Sequence, residues 1–363
     1  MPISPSASAT IEAAVSRAEQ RAPIGYRWPA EWEPHAATWL AWPHNAETWP
    51  GRLERAQRAF GVFVRELHQR ETVRLLVDDA AGEGEARRML AAAGVAVDRV
   101  EFHRIPTDDA WLRDSGPILL VRDSGQGRER VLADFPFDAW GGKYPPWDRD
   151  AAVPAGVARA LGLTRLTADF VLEGGSVDGN GAGTILTTEA CLLHPNRGPG
   201  RTRERMEQRL SEWLGARHVL WLGEGIAGDD TDGHVDDIAR FVGSGTVVAA
   251  CCDDPSDANS EPLAENLRRL RGMRDQDGKP LTLVTLPMPP ALRIGGLRCP
   301  ASYANFYLAN GCALVPSFGV AEDARALAVL REVLPERDVV GVPCADLVQG
   351  LGSLHCLSQQ QPL

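Results

Sequence analysis

The chain has 363 residues, 44% of them hydrophobic, and a formal net charge of −11. That apolar content supplies a substantial core and excludes disorder, while the length leaves one large or two smaller domains open. The negative charge argues against nucleic acid as a partner and steers small cations toward the protein.

The seven cysteines are an odd number, with Cys251 and Cys252 adjacent and Cys191, Cys312 and Cys344 in or beside apolar runs. This usage indicates reduced thiols in a cytoplasmic protein rather than a disulfide framework. Segment 1–21 has no apolar stretch of signal-peptide length, and no later run is long enough to span a membrane. Residues 11–19 suit a short surface helix, and 1–25 are expected to be a loose N-terminal segment.

In chain order, a strand at 38–42, a helix at 52–69 and a strand at 73–77 come first, followed by a helix at 83–93 and a strand at 97–102. A second group has strands at 118–121 and 131–135, a loop with Pro145 and Pro146, a helix at 153–161 and a strand near Arg165. A third has strands at 184–187 and 191–193, Pro195, a helix at 202–214 and a strand at 218–222. The fourth has strands at 238–242 and 246–251, Pro255, a helix at 261–271 and a strand at 281–286. The fifth has strands at 304–308 and 312–315 around an Ala309-Asn310-Gly311 turn, then Pro316, a helix at 322–333 and a strand at 338–342.

The order strand, turn, strand, helix, strand thus recurs about five times, which indicates an array of like units. A plain α/β sheet shares the alternation. The tight hairpin in each unit favours the array, because parallel strands need long crossovers. The first unit lacks a strand, and a closed array would complete it with the end of the chain.

Four glycine-punctuated segments beside predicted strands carry candidate chemistry: 108–117 with Trp111 and Asp114, 172–176 with Glu173, 229–237 with His234 and Asp236, and 350–362 with Cys356. Singly, each has a plain alternative: Asp114 as a turn residue pairing with Arg113, Glu173 and His234 as solvated loop residues, Cys356 as an inert buried thiol. Calcium binding by the acidic run fails on register, since Gly228 and Ala239 fall where an EF-hand needs acids. Zinc held by His234, Asp236 and Cys356 remains an alternative. Together the four segments suit one reaction. Carboxylates grip a planar guanidinium, a thiolate attacks its central carbon, and a histidine serves the departing ammonia and the incoming water. Trp111 would lie along the substrate.

On the segments Trp28-Pro29-Ala30-Glu31-Trp32, Asp109-Ala110-Trp111-Leu112-Arg113-Asp114, Ala139-Trp140-Gly141-Gly142-Lys143-Tyr144, Glu173-Gly174-Gly175-Ser176, Asp232-Gly233-His234-Val235-Asp236 and His355-Cys356-Leu357-Ser358, the chain resembles the agmatine deiminase family, which includes bacterial peptidylarginine deiminases. The resemblance implies an α/β pentein fold, a five-bladed propeller of ββαβ-type modules with pseudo-fivefold symmetry, as a single catalytic domain over 26–363.

It further implies Cys356 as nucleophile, His234 as acid/base, Asp114 and Asp236 on the guanidinium nitrogens, and Glu173 supporting protonated His234. No metal or organic cofactor is implied. Agmatine is the expected substrate, converted to N-carbamoylputrescine and ammonia through a covalent thiouronium. Free or peptidyl arginine or another guanidine, a non-catalytic binding role, and transfer of the amidino group to an amine stay open, as does homo-oligomerisation. Leu351 and Ser353 stand where members tend to have glycine and asparagine, which bears on selectivity for the substrate tail.

Overall fold

The computed structural model describes residues 23–125 and 127–363; the helix expected at 11–19 lies outside them. Five separate sheets repeat one plan. Each has an antiparallel pair, a helix, and a third strand parallel to the second. The second sheet is Ile118–Ser124, Gly127–Asp134 and Arg165–Thr167, with helix Asp148–Leu161 as its crossover. The third is Val177–Gly179, Thr184–Thr188 and His218–Leu222, crossed by Arg203–Leu214. The fourth is Ala239–Gly243, Thr246–Cys251 and Thr282–Pro287, crossed by Ser260–Gly272. The fifth is Tyr307–Ala309, Cys312–Ser317 and Asp338–Pro343, crossed by Glu322–Val333.

The first sheet is assembled from both ends of the described chain. His35–Ala41 pairs parallel with Thr72–Val77, which pairs parallel with Val100–Arg104. Its antiparallel partner is Ser358–Pro362, with Trp39 opposite Gln359 and Leu40 opposite Ser358. The strand missing from the first unit is therefore the one that follows Cys356, and it is buried along its whole length.

The third unit corrects the sequence reading. Residues 191–193 are not its second strand; Glu189–Leu192 is a helical turn whose N-cap Thr188 accepts from the Cys191 N–H. The hairpin forms one strand earlier, between Val177–Gly179 and Thr184–Thr188. The apolar run at 191–193 suggested a strand, but a side-chain cap satisfies the backbone just where a strand would need a ladder partner.

The crossover helices are held by one buried face. In Leu53–Leu67, Ala56, Phe60, Phe63, Val64 and Leu67 are fully buried at helical spacing. Truncating either phenylalanine to alanine would cost about 3–5 kcal/mol. Helix Arg203–Leu214 starts at Thr202, whose side chain accepts from Arg205 N–H, and stops at Gly215, whose φ of 72° lies in the left-handed region that glycine enters freely. Among the described residues, no helix is long and apolar enough to cross a membrane.

Candidate active site

A short helical turn enters the first strand of four units. Leu112–Ser115 precedes Ile118, Gly174–Ser176 precedes Val177, Val235–Asp237 precedes Ala239, and Leu354–Leu357 precedes Ser358. Asp114, Glu173, His234 with Asp236, and Cys356 sit on or next to these turns. Asn305 holds the matching place before Tyr307 in the fifth unit. Equivalent positions of five like units thus converge on one point.

The convergence is measurable. Cys356 Sγ lies 3.8 Å from Asp236 Oδ2 and accepts a hydrogen bond from Asn305 Nδ2 at 3.1 Å. Asn305 Oδ1 in turn accepts from Ser353 Oγ at 2.8 Å and His355 N–H at 3.0 Å, which fixes the turn carrying the thiol. His234 Nδ1 is 3.8 Å from Asp114 Oδ2, and His234 Nε2 is 4.0 Å from Glu173 Oε2. Asp114 accepts from Trp140 Nε1 at 3.0 Å and Gly175 N–H at 2.9 Å. Gly175 forms the floor: a Cβ there would come within 2.6 Å of His234 Nδ1, 2.9 Å of Asp114 Oδ1 and 3.1 Å of Asp236 Oδ2.

Arg113 does not pair with Asp114. Its guanidinium reaches Glu31 at 3.2 Å, Gln360 at 2.7 Å and Gln359 at 3.1 Å. Glu31 also faces Arg240 at 2.9 Å and His355 Nε2 at 2.9 Å, and His355 Nδ1 faces Asp236 Oδ2 at 2.7 Å. Burial would raise the Glu31 carboxyl, but Arg240, His355 and Arg113 outweigh it and hold it well below the usual carboxylate range. This buried ion cluster underlies the site. Removing one partner from such a cluster typically costs about 3–5 kcal/mol, because a charge is left uncompensated.

The candidate groups are electrostatically tuned. Burial, with Asp236, Asp237 and Asp114 around it, pushes the Cys356 thiol well above its ordinary range. Burial alone would lower His234, but Asp114, Cys191 and Glu173 outweigh it and raise the imidazole well above its usual value. Burial raises Asp114. Burial also acts to raise Asp236, but the His355 hydrogen bond and charge win and keep it low. Among the described residues, Asp236 Oδ1 has no hydrogen-bond partner.

A cavity of about 940 Å³ leads to Cys356 and Trp111. Trp111 is fixed by Trp49, ring centroids 5.5 Å apart, and by close approach of Gly350 and Gly352; a Cβ at Gly352 would meet the Trp111 ring at 2.6 Å. The outer wall carries Glu47, Asp78, Asp108, Asp109, Asp150 and Asp230. Its cations, Lys143 and Arg149, are engaged by Asp232 at 2.9 Å and Asp78 at 3.4 Å. Burial lifts the carboxyls of Asp109 to about 6 and Asp150 to about 7.

Against this geometry, the sequence profile described as Porphyromonas-type peptidyl-arginine deiminase matches residues 27–362. The chain belongs to that family. It is 38% identical to an agmatine deiminase of Ectopseudomonas mendocina, over 93% of this chain and 96% of that protein. Its structure is similar to an agmatine deiminase of Enterococcus faecalis, with a TM-score of 0.88, 32% identity, and 94% and 98% of the two chains covered. A C. jejuni agmatine deiminase with substrate bound superposes with a TM-score of 0.83 at 30% identity, over 93% and 96% of the chains. The α/β fold of this family member is thus that of solved agmatine deiminases.

All the residues expected from the sequence lie in this one region, and several others there went unseen. Asn305, His355, Arg197 and Trp140 contact the expected set, and Glu31 reaches it through His355. Glu31, Trp140 and His355 lie in the segments that carry the family resemblance, Asn305 is marked only by its position before a unit's first strand, and no local pattern marks Arg197. Arg197 donates to Glu173 Oε1 at 2.8 Å and to Thr231 O at 2.7 Å, so it orients the carboxylate behind His234. The ligand set considered for zinc is also corrected. Among the described residues, the group whose ligand atoms all lie within 4.8 Å of one another is Glu173, Cys191 and His234, without Asp236 or Cys356. Leu351, which the family resemblance sets at a position expected to be glycine, has a φ of 69°; a leucine in that left-handed region costs roughly 1–2 kcal/mol.

Proposed function

We propose that the chain hydrolyses agmatine to N-carbamoylputrescine and ammonia through a thiouronium on Cys356. The observation that carries this reading is a buried thiol beside Asp236, whose Oδ1 lacks a partner among the described residues, at the end of an acid-lined cavity. A guanidinium supplies the missing donors. Its positive charge also offsets the carboxylates that hold the thiol protonated, so substrate binding itself promotes the thiolate, whose proton leaves through the cavity. Asp114 and Asp236 grip the guanidinium nitrogens while the thiolate attacks the central carbon.

The His234 imidazolium donates a proton to the departing nitrogen, and ammonia leaves the tetrahedral adduct. Neutral His234 then takes a proton from water, which adds to the thiouronium; collapse of the second adduct breaks the C–S bond and releases the ureido product. Glu173, oriented by Arg197, stabilises protonated His234. Trp111 lies along the alkyl chain. The five units are read as blades of one closed propeller about a pseudo-fivefold axis, forming a single catalytic domain over 26–363 with these turns at its centre.

The substrate tail is read from the cavity wall. Its carboxylates outnumber its cations, and both cations are already paired. A free terminal ammonium suits that wall, whereas the α-carboxylate of free arginine meets like charge. Ammonia and ureido-product release from agmatine, arginine and a blocked arginine peptide tests the reading. Preference for agmatine supports it, and preference for the peptide or inactivity on all three overturns it.

A further inference from the structure

We propose that Glu173, Cys191 and His234 form a binding site for a soft divalent cation such as zinc, behind the reacting centre, and that occupancy stops turnover. Cys191 helps to raise the His234 imidazole but neither bonds to the substrate nor moves a proton in the chemistry above. Nevertheless its sulfur lies with a Glu173 oxygen and a His234 nitrogen in a group whose ligand atoms are all within 4.8 Å of one another, and all three residues are buried. A thiolate, an imidazole and a carboxylate are the donor types that zinc takes.

A second observation points to the same place. His234 Nε2 is buried, has no hydrogen-bond partner among the described residues, and faces Glu173 Oε2 at 4.0 Å. Ligands on a tetrahedral zinc, bound at about 2.0–2.3 Å, sit roughly 3.3–3.7 Å apart, so closing a group spread over at most 4.8 Å needs separations to shorten by up to about 1–1.5 Å, shared among three side chains.

The surroundings orient two of the ligands. Arg197 holds the other Glu173 oxygen, Oε1, at 2.8 Å, which turns Oε2 toward His234. Thr188 caps the turn that carries Cys191. Partners of this kind orient metal ligands and raise affinity. Binding replaces the thiol proton and the imidazolium proton with one dication, so the two protons go to solvent and the charge of the buried group is unchanged. The cation then occupies the imidazole that must donate and accept protons in the proposed reaction; this inhibitory arm rests on that reading, but binding itself does not.

The test begins with protein carrying Cys356→Ala, Cys251→Ser and Cys252→Ser, which removes the nucleophile and the half-buried vicinal pair. Titration with cadmium should give one equivalent of thiolate-to-metal absorption, and zinc X-ray absorption should report one sulfur with nitrogen and oxygen neighbours. Adding Cys191→Ser should abolish the band. Should that variant fail to fold, Glu173→Gln in the same background, which replaces a carboxylate ligand with a neutral amide, should keep the one-sulfur signature while weakening cadmium at least about tenfold. No band in the background protein, or a band indifferent to Cys191→Ser, overturns the site. In protein with Cys356 intact, zinc should inhibit agmatine turnover, and Cys191→Ser should relieve that inhibition at least tenfold. Equal inhibition of both proteins overturns the inhibitory role and points to zinc on Cys356.

Discussion

Gly175→Ala is a small change aimed at the centre of the site. The added methyl would stand 2.6 Å from His234 Nδ1, where ordinary contact begins at 3.4 Å, so the imidazole must retreat by about 0.8 Å. Asp114 Oδ1, at 2.9 Å, must give by about 0.5 Å, and Asp236 Oδ2, at 3.1 Å, by about 0.3 Å. Overpacking of this kind costs about 1–3 kcal/mol of stability. The effect on rate is larger in proportion: misplacing reacting groups by 1 Å costs about a hundredfold, or some 2.7 kcal/mol of barrier. Because no left-handed backbone is needed at Gly175, backbone strain adds nothing to that overpacking cost. Steady-state ammonia release from agmatine and urea denaturation should therefore show kcat down about a hundredfold with a cooperative fold retained. Gly245→Ala serves as the control, since a Cβ there meets nothing within 4 Å. If Gly175→Ala keeps kcat within threefold of the parent, His234 and the two carboxylates do not form a rigid reacting centre.

Cys356→Ala should abolish turnover with the fold intact, and mass spectrometry of a quenched parental reaction should find the adduct on Cys356; an adduct on another cysteine refutes the assignment. In that inactive background, Asp114→Asn and Asp236→Asn should each weaken agmatine binding by about 1.5–3 kcal/mol by calorimetry. Because burial and Asp236 raise the Cys356 thiol, alkylation of Cys356 in the free protein should reach half its plateau above pH ~8.5, and Asp236→Asn should move that point down. A half-point below the ordinary thiol value contradicts the electrostatics. The folded His234 is raised above its unfolded value, so its stabilisation is complete below pH ~6.5 and lost as pH rises through the folded value. Parental unfolding free energy should accordingly fall as pH rises above about 6.5, and His234→Asn should flatten that fall.

Much of the unit structure was legible locally. The helix read at 322–333 is Glu322–Val333, and the strand at 218–222 is His218–Leu222, because apolar spacing and flanking turn residues set such elements without distant help. Reading failed at the third unit, where the Thr188 cap diverts the backbone at Cys191 from the strand its apolar neighbours suggest. The candidates Cys356, His234, Glu173, Asp114 and Asp236 were visible because a guanidine hydrolase needs those residue types in glycine-punctuated loops. Their supporting residues were not. His355 bridges Asp236 and Glu31, Asn305 holds the thiol, and Arg197 orients Glu173.

The sequence alone determined most of the elements, the charge and the candidate reacting atoms. Tertiary structure decided which turns meet, since His355 and Glu31 are 324 positions apart and touch only once Ser358–Pro362 has paired with His35–Ala41. The same convergence placed Cys191 behind His234. Burial and ionisation follow from it as well, because the thiol and imidazole are shifted by carboxylates and low dielectric gathered from distant units.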